Sequence, residues 1–168
     1  PDLMTFAKGV NSGYVPVGGV MMSEEIASVF DNRVFPGGLT YSGHPLAAAS
    51  IIGALDAFEQ EGIIENAKMI GESHIKPALE AMAAKHPGIG EVRGMGVFWA
   101  IELVKDRATK APVPDAEMGA LKAEIIKRGV LPFVVNNRIH ITPPCIITPA
   151  EMATGLTAID EALTAVGL

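Results

Sequence analysis

The stretch "TFAKGVNSGYVPVGGVMMS" (5–23) contains a single lysine, Lys8, between an apolar run and a loop of glycine, asparagine and serine. A second apolar run follows, so the pattern predicts short buried strands at 3–7 and 16–23. A lysine at the end of a buried strand is costly for folding unless its amine has a chemical role. A desolvated lysine amine can form a Schiff base with an aldehyde. The alternative is a lysine whose charged head reaches solvent.

A second loop, "GGLTYSGHP" (37–45), combines the backbone N–H groups of its glycines with the hydroxyls of Thr40, Tyr41 and Ser42. It leads into a predicted helix, and the N-terminus of a helix favours an anion such as phosphate. The alternative is an ordinary loop with a helix cap, because the stretch matches no P-loop or dinucleotide-binding motif.

The order of predicted elements indicates two domains. Residues 1–58 are expected to be the end of an α/β domain, with an apolar helix at 45–59. Residues 59–168 are expected to form a small α+β domain. It begins with an amphipathic helix over 61–86 that Pro77 would kink, and continues with a bent strand pair at 91–104. The last helix has a strong start signal, since Thr148 and Glu151 have the spacing of a capping box.

Composition and charge exclude several classes of function. The chain has 168 residues, about half of them apolar, and a net charge of -6 with both signs mixed along it, which argues against a nucleic-acid surface. Its longest apolar run, "PLAAASIIGAL" (45–55), is too short to span a bilayer. One cysteine allows no internal disulfide and fits a reducing, cytoplasmic compartment. The four histidines lack metal-ligand spacing, so no metal is predicted.

Four stretches in order, "PDLMTFAKGVNSGYVPVGGV", "TYSGHPLAAA", "EVRGMGVFWAIELV" and "NRIHITPPCIITPAEM", resemble the class III aminotransferases. This is the ω-transaminase branch of the fold-type I enzymes that depend on pyridoxal 5'-phosphate. The resemblance implies that Lys8 is the lysine that binds the cofactor's aldehyde. It also implies that Thr40 binds the cofactor phosphate across a homodimer interface, with Tyr41 and Ser42 beside it.

The resemblance leaves the substrate-binding residue open. Many ω-transaminases bind a substrate carboxylate with an arginine shortly before a Pro-Pro pair, but the position ten residues before Pro143 is Phe133. Arg138 lies close by in the sequence, and its guanidinium would hold a carboxylate or sulfonate well. The alternative for Arg138 is a structural ion pair.

The implied activity is transfer of an amino group from an ω-amino acid or amine to a keto acid, such as pyruvate or 2-oxoglutarate, by a ping-pong mechanism. Family members are considerably longer, so these 168 residues are expected to be only part of the active enzyme. Two alternatives remain: a related enzyme of different outcome, such as an aminomutase or decarboxylase, and a non-catalytic module that binds phosphate or dimerises.

Overall fold

The computed structural model describes all 168 residues and divides them into two units, Pro1–Gly62 and Ile63–Leu168. The predicted boundary after residue 58 falls inside a helix, Pro45–Gln60, so the observed division comes slightly later. The assignment of the first unit to a large domain and the second to a small one stays a prediction. No helix has the length and apolar character needed to cross a membrane.

The first unit contains two antiparallel strands, β1 (Leu3–Ala7) and β2 (Gly18–Met22), and two helices, α1 (Glu24–Ala27) and α2 (Pro45–Gln60). Phe6 lies opposite Gly19, and its ring fills the space that a Cβ at Gly19 would need. Glycine is therefore required there by the close approach of a side chain across the strand pair.

Both strands were predicted correctly, but their apolar side chains are not buried within this unit. Leu3 and Met4 are about half exposed, and Ala47 is the only buried residue of α2. A two-stranded sheet has no covering layer within this unit, so its apolar side chains reach solvent. The apolar runs therefore predict where the strands and the helix lie, but not whether their side chains are buried.

The second unit carries helices on one face of an antiparallel sheet. Its helices are α3 (Ile63–Ile70), α4 (Lys76–Lys85), α5 (Asp115–Lys127) and α6 (Pro149–Val166). Its strands are β3 (Ile89–Met95), β4 (Phe98–Asp106), β5 (Ala111–Pro112), β6 (Phe133–Val135) and β7 (Arg138–Ile141). The order across the sheet is β3-β4-β7-β6, and β5 pairs with the end of β4.

Alternation along the strands decides which side chains enter the core of this unit. The fully buried Ile101, Leu103 and Ile139 point toward the helices, where they pack with Leu121 of α5 and Leu163 of α6. The opposite face carries exposed or half-buried residues such as Phe98, Glu102 and Arg138, together with the buried Ala100 and Val104. The core therefore lies between the sheet and its helices and leaves the other face free.

The predicted helix over 61–86 is broken where α3 meets α4. A single π-helical turn, Gly71–Ile75, lies between them and ends two residues before Pro77. Gly71 lies against the β3–β4 turn, because a Cβ on Gly71 would overlap the carbonyl oxygen of Gly96. The same carbonyl accepts a hydrogen bond from the indole of Trp99 (2.7 Å). The break thus lies at a close contact between the helix and the β3–β4 turn.

The predicted capping box of α6 is confirmed. The Thr148 hydroxyl accepts from the backbone N–H of Glu151 (3.3 Å), and the Glu151 carboxylate accepts from the backbone N–H of Thr148 (2.9 Å). Two otherwise unsatisfied N–H groups at the helix start are thereby paired. Near the other end, Asp160 bonds to the amine of Lys85 (2.7 Å) and lies 2.6 Å from Nε2 of the buried His86.

We predict that Gly71→Ala destabilises the second unit by about 2 kcal/mol or more, because an added methyl must displace the backbone of Gly96. The measurement is denaturant unfolding. Gly119→Ala is the matched control: Gly119 lies inside α5 with no atom near the position of a new Cβ, so alanine should stabilise by about 0.5–1 kcal/mol. Equal effects of the two changes would contradict the close-packing account.

The Asp160 carboxylate gives a prediction for acid stability. Its hydrogen bond from Lys85 and, next, its contact with His86 lower its pKa from the ordinary 3.8. The associated stability is present above about pH 4 and is lost as the pH falls through the lowered pKa. Asp160→Asn should therefore cost about 1–2 kcal/mol at pH 7 and flatten the decline below pH 4. Unfolding curves between pH 2 and pH 7 measure both effects.

The neighbouring Glu161 provides the control, since it is exposed and pairs with Arg128 at 3.3 Å. Glu161→Gln should change stability by less than about 0.5 kcal/mol, as is usual for exposed ion pairs. An Asp160→Asn profile that parallels the wild-type profile at every pH would rule out this source of acid sensitivity.

Candidate active site

Lys8 directly follows β1 and begins a short 3-10 turn, Lys8–Val10. Its φ is +48°, in the left-handed region that L-residues other than glycine rarely occupy. Such a conformation costs about 1–3 kcal/mol and persists only where surrounding contacts impose it. The side chain is exposed, and its amine makes no hydrogen bond or ion pair. The lysine is therefore not desolvated within this unit, although the sequence predicts desolvation. Its backbone is strained instead, which the sequence did not indicate.

The loop after Lys8 is organised by Asn11, which sequence reasoning missed. Asn11 is only 1 % exposed. Its side-chain amide donates to the carbonyl oxygen of Val15 (2.6 Å) and to Oγ of Ser50 on α2 (2.9 Å), and its Oδ1 accepts from the N–H of Gly13 (3.2 Å). The bond to an N–H two residues ahead is an Asx turn, for which the Asn-Ser-Gly order was the available signal.

Thr40, Tyr41 and Ser42 lie together in an exposed turn before α2. The Ser42 hydroxyl accepts from the N–H of Leu39 (3.3 Å), so its oxygen closes the turn. Thr40 and Tyr41 keep their hydroxyls unbonded, and the Tyr41 ring is 80 % exposed. Two hydroxyls are thus available to a ligand at this turn.

The N-terminus of α2 offers less to an anion than its position in the sequence indicates. Its first residue is Pro45, which has no N–H, and the N–H of Leu46 donates to Nδ1 of His44 (3.2 Å). The first two positions of the helix therefore present no free donor. Any anion at this end of the unit depends mainly on the turn hydroxyls.

A concave surface of about 660 Å³ lies between the 15–18 segment, the 39–44 turn and the start of α2. Tyr41 and Ser42 line it, together with apolar side chains such as Leu46 and Ile51. Lys8 and Thr40 are not part of its lining. The structure therefore does not bring Lys8 and the Thr40–Ser42 turn into one pocket within this unit.

In the second unit, Phe133 and Arg138 occupy neighbouring strands of the sheet. Phe133 lies opposite His140, and Arg138 lies opposite Val135 on β6 and Glu102 on β4. The Phe133 ring is exposed and stands 5.2 Å from the His140 ring, centroid to centroid. These residues share the sheet face that the helices do not cover.

Arg138 makes no hydrogen bond or ion pair, although Glu102 is its cross-strand neighbour. Glu102 bonds instead to Arg93 (3.0 Å), and this bond raises the pKa of the Arg93 guanidinium above its ordinary value. Arg107 and Arg128 are likewise occupied, the first by backbone carbonyls and the second by glutamates. The half-buried Arg138 guanidinium is thus left available to a ligand, and the alternative of a structural ion pair finds no partner here.

Comparison with known proteins covers nearly the whole chain. The family described as "Aminotransferase class-III" matches residues 1–163. The putrescine–pyruvate aminotransferase of Pseudomonas aeruginosa is 37 % identical over 166 residues, which are 98 % of this chain and 35 % of that protein. The taurine–pyruvate aminotransferase of Bilophila wadsworthia is 34 % identical over 179 residues, covering 99 % of this chain and 39 % of that protein.

Solved structures agree with the sequence matches. A taurine:2-oxoglutarate aminotransferase from Bifidobacterium kashiwanohense, in complex with PLP and glutamate, superposes with a TM-score of 0.90 at 38 % identity, covering 99 % of this chain and 38 % of that one. The chain spans a little over a third of the length of these relatives. Its fold is that of the fold-type I transaminases, and the protein belongs to the class III aminotransferases, a pyridoxal-phosphate-dependent family.

Proposed function

We propose that this protein transfers an amino group from an ω-amino acid or amine to a keto acid such as pyruvate or 2-oxoglutarate, in two half-reactions. Family membership supports the reaction class. Relatives named for putrescine, γ-aminobutyrate and taurine support a donor whose amine is terminal. The observation that carries the proposal is the exposed, unpaired amine of Lys8 on a left-handed residue at the end of β1.

The side chains present fit pyridoxal phosphate chemically. The primary amine of Lys8 suits the cofactor's aldehyde, since no carboxylate pairs with it. The unbonded hydroxyls of Thr40 and Tyr41 suit phosphate oxygens, which accept hydrogen bonds from such groups. Ser42 supports the same turn through its bond with Leu39 and would act mainly on its shape.

In the mechanism, the cofactor when bound supplies an aldehyde that condenses with amines and a ring that withdraws electrons from the substrate carbon. Lys8 would hold the cofactor through Nζ. Once displaced by the donor amine, the Nζ of Lys8 would act as general base by removing a proton from the substrate carbon, and then as general acid by delivering that proton to the carbon atom that carried the cofactor's aldehyde. Free rotation of an unpaired side chain favours this exchange of roles.

We assign binding of the substrate's acidic group to Arg138, with Phe133 beside it as an apolar wall. An unpaired guanidinium can form two parallel hydrogen bonds to a carboxylate or sulfonate. Phe133 is exposed on the adjacent strand and would contact the aliphatic part of a donor. A donor amine without an acidic group would contact Phe133 and would not bond to Arg138.

Three further features belong to the proposal. The first unit is the end of a large cofactor-binding domain, and the second is a small C-terminal domain. The active form is a homodimer in which Thr40 serves the site of the partner subunit. The location is the cytoplasm, a reducing compartment in which the free, exposed Cys145 stays reduced.

We predict that Lys8→Ala in the full-length protein abolishes amino transfer and the visible absorbance of the bound cofactor, because both require Nζ. Lys8→Gly should be equally inactive, yet more stable than Lys8→Ala by about 1 kcal/mol, since glycine adopts positive φ at little cost. Turnover with donor plus keto acid and denaturant unfolding of the cofactor-free forms measure the two effects.

Retained turnover in Lys8→Ala would reject the catalytic role of Lys8. Cofactor attachment without amino transfer to any keto acid would favour an aminomutase or decarboxylase instead. Equal stability of the glycine and alanine variants would contradict the strain at Lys8.

We predict that Arg138→Ala raises KM for donors that carry a carboxylate or sulfonate by roughly ten- to hundredfold, the value of about 1.5–3 kcal/mol for hydrogen bonds to a charged group. A plain diamine donor should change much less. Arg128→Ala is the matched control, because Arg128 is already paired with Glu124 and Glu161 at the end of α5 and does not share a partner with Arg138. Equal losses for acidic and plain donors would argue against Arg138 as the acid-binding residue.

A further inference from the structure

We propose that Asn11 is the positioning residue for Lys8: its buried amide fixes the loop that keeps Lys8 left-handed and thereby aims the amine at the cofactor aldehyde. The inference rests on the proposed role of Lys8. Asn11 itself would touch neither cofactor nor substrate. Its effect would pass through the backbone of the loop.

Every polar group of Asn11 is bonded. Its backbone N–H donates to the carbonyl oxygen of Lys8 (3.4 Å), which closes the 3-10 turn, and its carbonyl accepts from the N–H of Tyr14 (3.2 Å). Its side chain spans the loop from Gly13 to Val15. One short residue thus connects both ends of the segment that begins with Lys8.

The bond from Asn11 to Ser50 ties this loop to helix α2. Ser50 receives a hydrogen bond from Asn11 at Oγ and donates its own proton to the carbonyl of Ala47 (2.7 Å). The loop is therefore anchored to an element 39 residues away in the sequence. A loop without such an anchor would move independently of the helix.

Apolar packing within this unit does not provide this restraint. Asn11 and Ala47 are the only buried residues between 1 and 62, and no other residue from 8 to 14 is buried. Meanwhile Lys8, Ser12 and Gly13 all have positive φ, so three of six consecutive residues occupy the left-handed region. A backbone of this kind persists only where specific bonds impose it, and the bonds available are those of Asn11.

Loss of these bonds should release Lys8 toward ordinary φ values and spread its amine over many directions. Because preorganisation governs how readily a tethered group reacts, attachment of the cofactor should weaken. Three variants divide the effect. Asn11→Ala removes all side-chain bonds, Asn11→Asp keeps the acceptor for Gly13 but sets an oxygen against the Val15 carbonyl, and Ser50→Ala removes only the anchor to α2.

The experiment titrates the cofactor-free full-length protein with pyridoxal phosphate and records visible absorbance and visible circular dichroism. Absorbance gives the affinity of attachment. Circular dichroism per attached cofactor reports how firmly the chromophore is oriented, a signature that global stability does not set. We expect Asn11→Ala to weaken attachment by about ten- to hundredfold and to reduce the dichroism at saturation, with Asn11→Asp similar and Ser50→Ala milder.

Asp160→Asn is the matched control, since it lowers stability in the second unit without touching this loop. It should titrate as the wild type does. The proposal is overturned if Asn11→Asp and Ser50→Ala, compared as folded proteins, match the control in both affinity and dichroism. If the wild type itself attaches no cofactor, the proposed function fails first, and that result is distinct from a normal wild type with normal Asn11 variants.

Discussion

The left-handed backbone of Lys8 is the constraint on which the first unit depends. A lysine adopts that conformation only where surrounding contacts impose it, and here those contacts are hydrogen bonds rather than core packing. Asn11 is buried among loop and helix backbone, while the flanking strands and α2 remain largely exposed. A buried amide with all its partners in place is more exacting than an apolar contact, because each lost bond leaves an unpaired polar group. Lys8 thus combines local backbone strain with a buried amide three residues further along the chain.

The second unit is built on the opposite principle. Its sheet and helices enclose a continuous apolar core, with Ile101, Leu103 and Ile139 fully buried. Because Gly71 has no side chain, the junction of α3 and α4 packs directly against the β3–β4 turn. Arg138 and Phe133 lie on the uncovered face of this sheet, where the proposed substrate contacts would be held in fixed positions.

Local signals in the sequence predict the elements well. The capping box at Thr148, the strands at 3–7 and 16–23 and the helix from Pro45 all follow from residues within a few positions of one another. The family motif predicts Lys8 as the reactive residue without any structural information. Burial within this unit differs from the prediction: the apolar strands and α2 were expected in a core, and the unit on its own does not form one.

Contacts between distant residues account for the remaining gaps. The role of Asn11 depends on Ser50, which no local pattern connects to it. Arg138 is unpaired because Glu102 bonds to Arg93 instead. The pairing of β3 with β4 brings Arg93 within reach of Glu102. The π turn before Pro77 begins at Gly71, where the helix packs against the backbone of Gly96, a residue distant in the sequence. Residue types alone do not predict any of these three contacts, because each joins residues that are distant in the sequence.

The most direct test of the central claim is to locate the covalent bond between cofactor and protein. Full-length protein loaded with pyridoxal phosphate is reduced with borohydride, digested and analysed by peptide mass spectrometry. The account predicts the added cofactor mass on the peptide that contains Lys8. The mass on another lysine, such as Lys110, which is also left-handed at φ +58°, or on no peptide at all would contradict it.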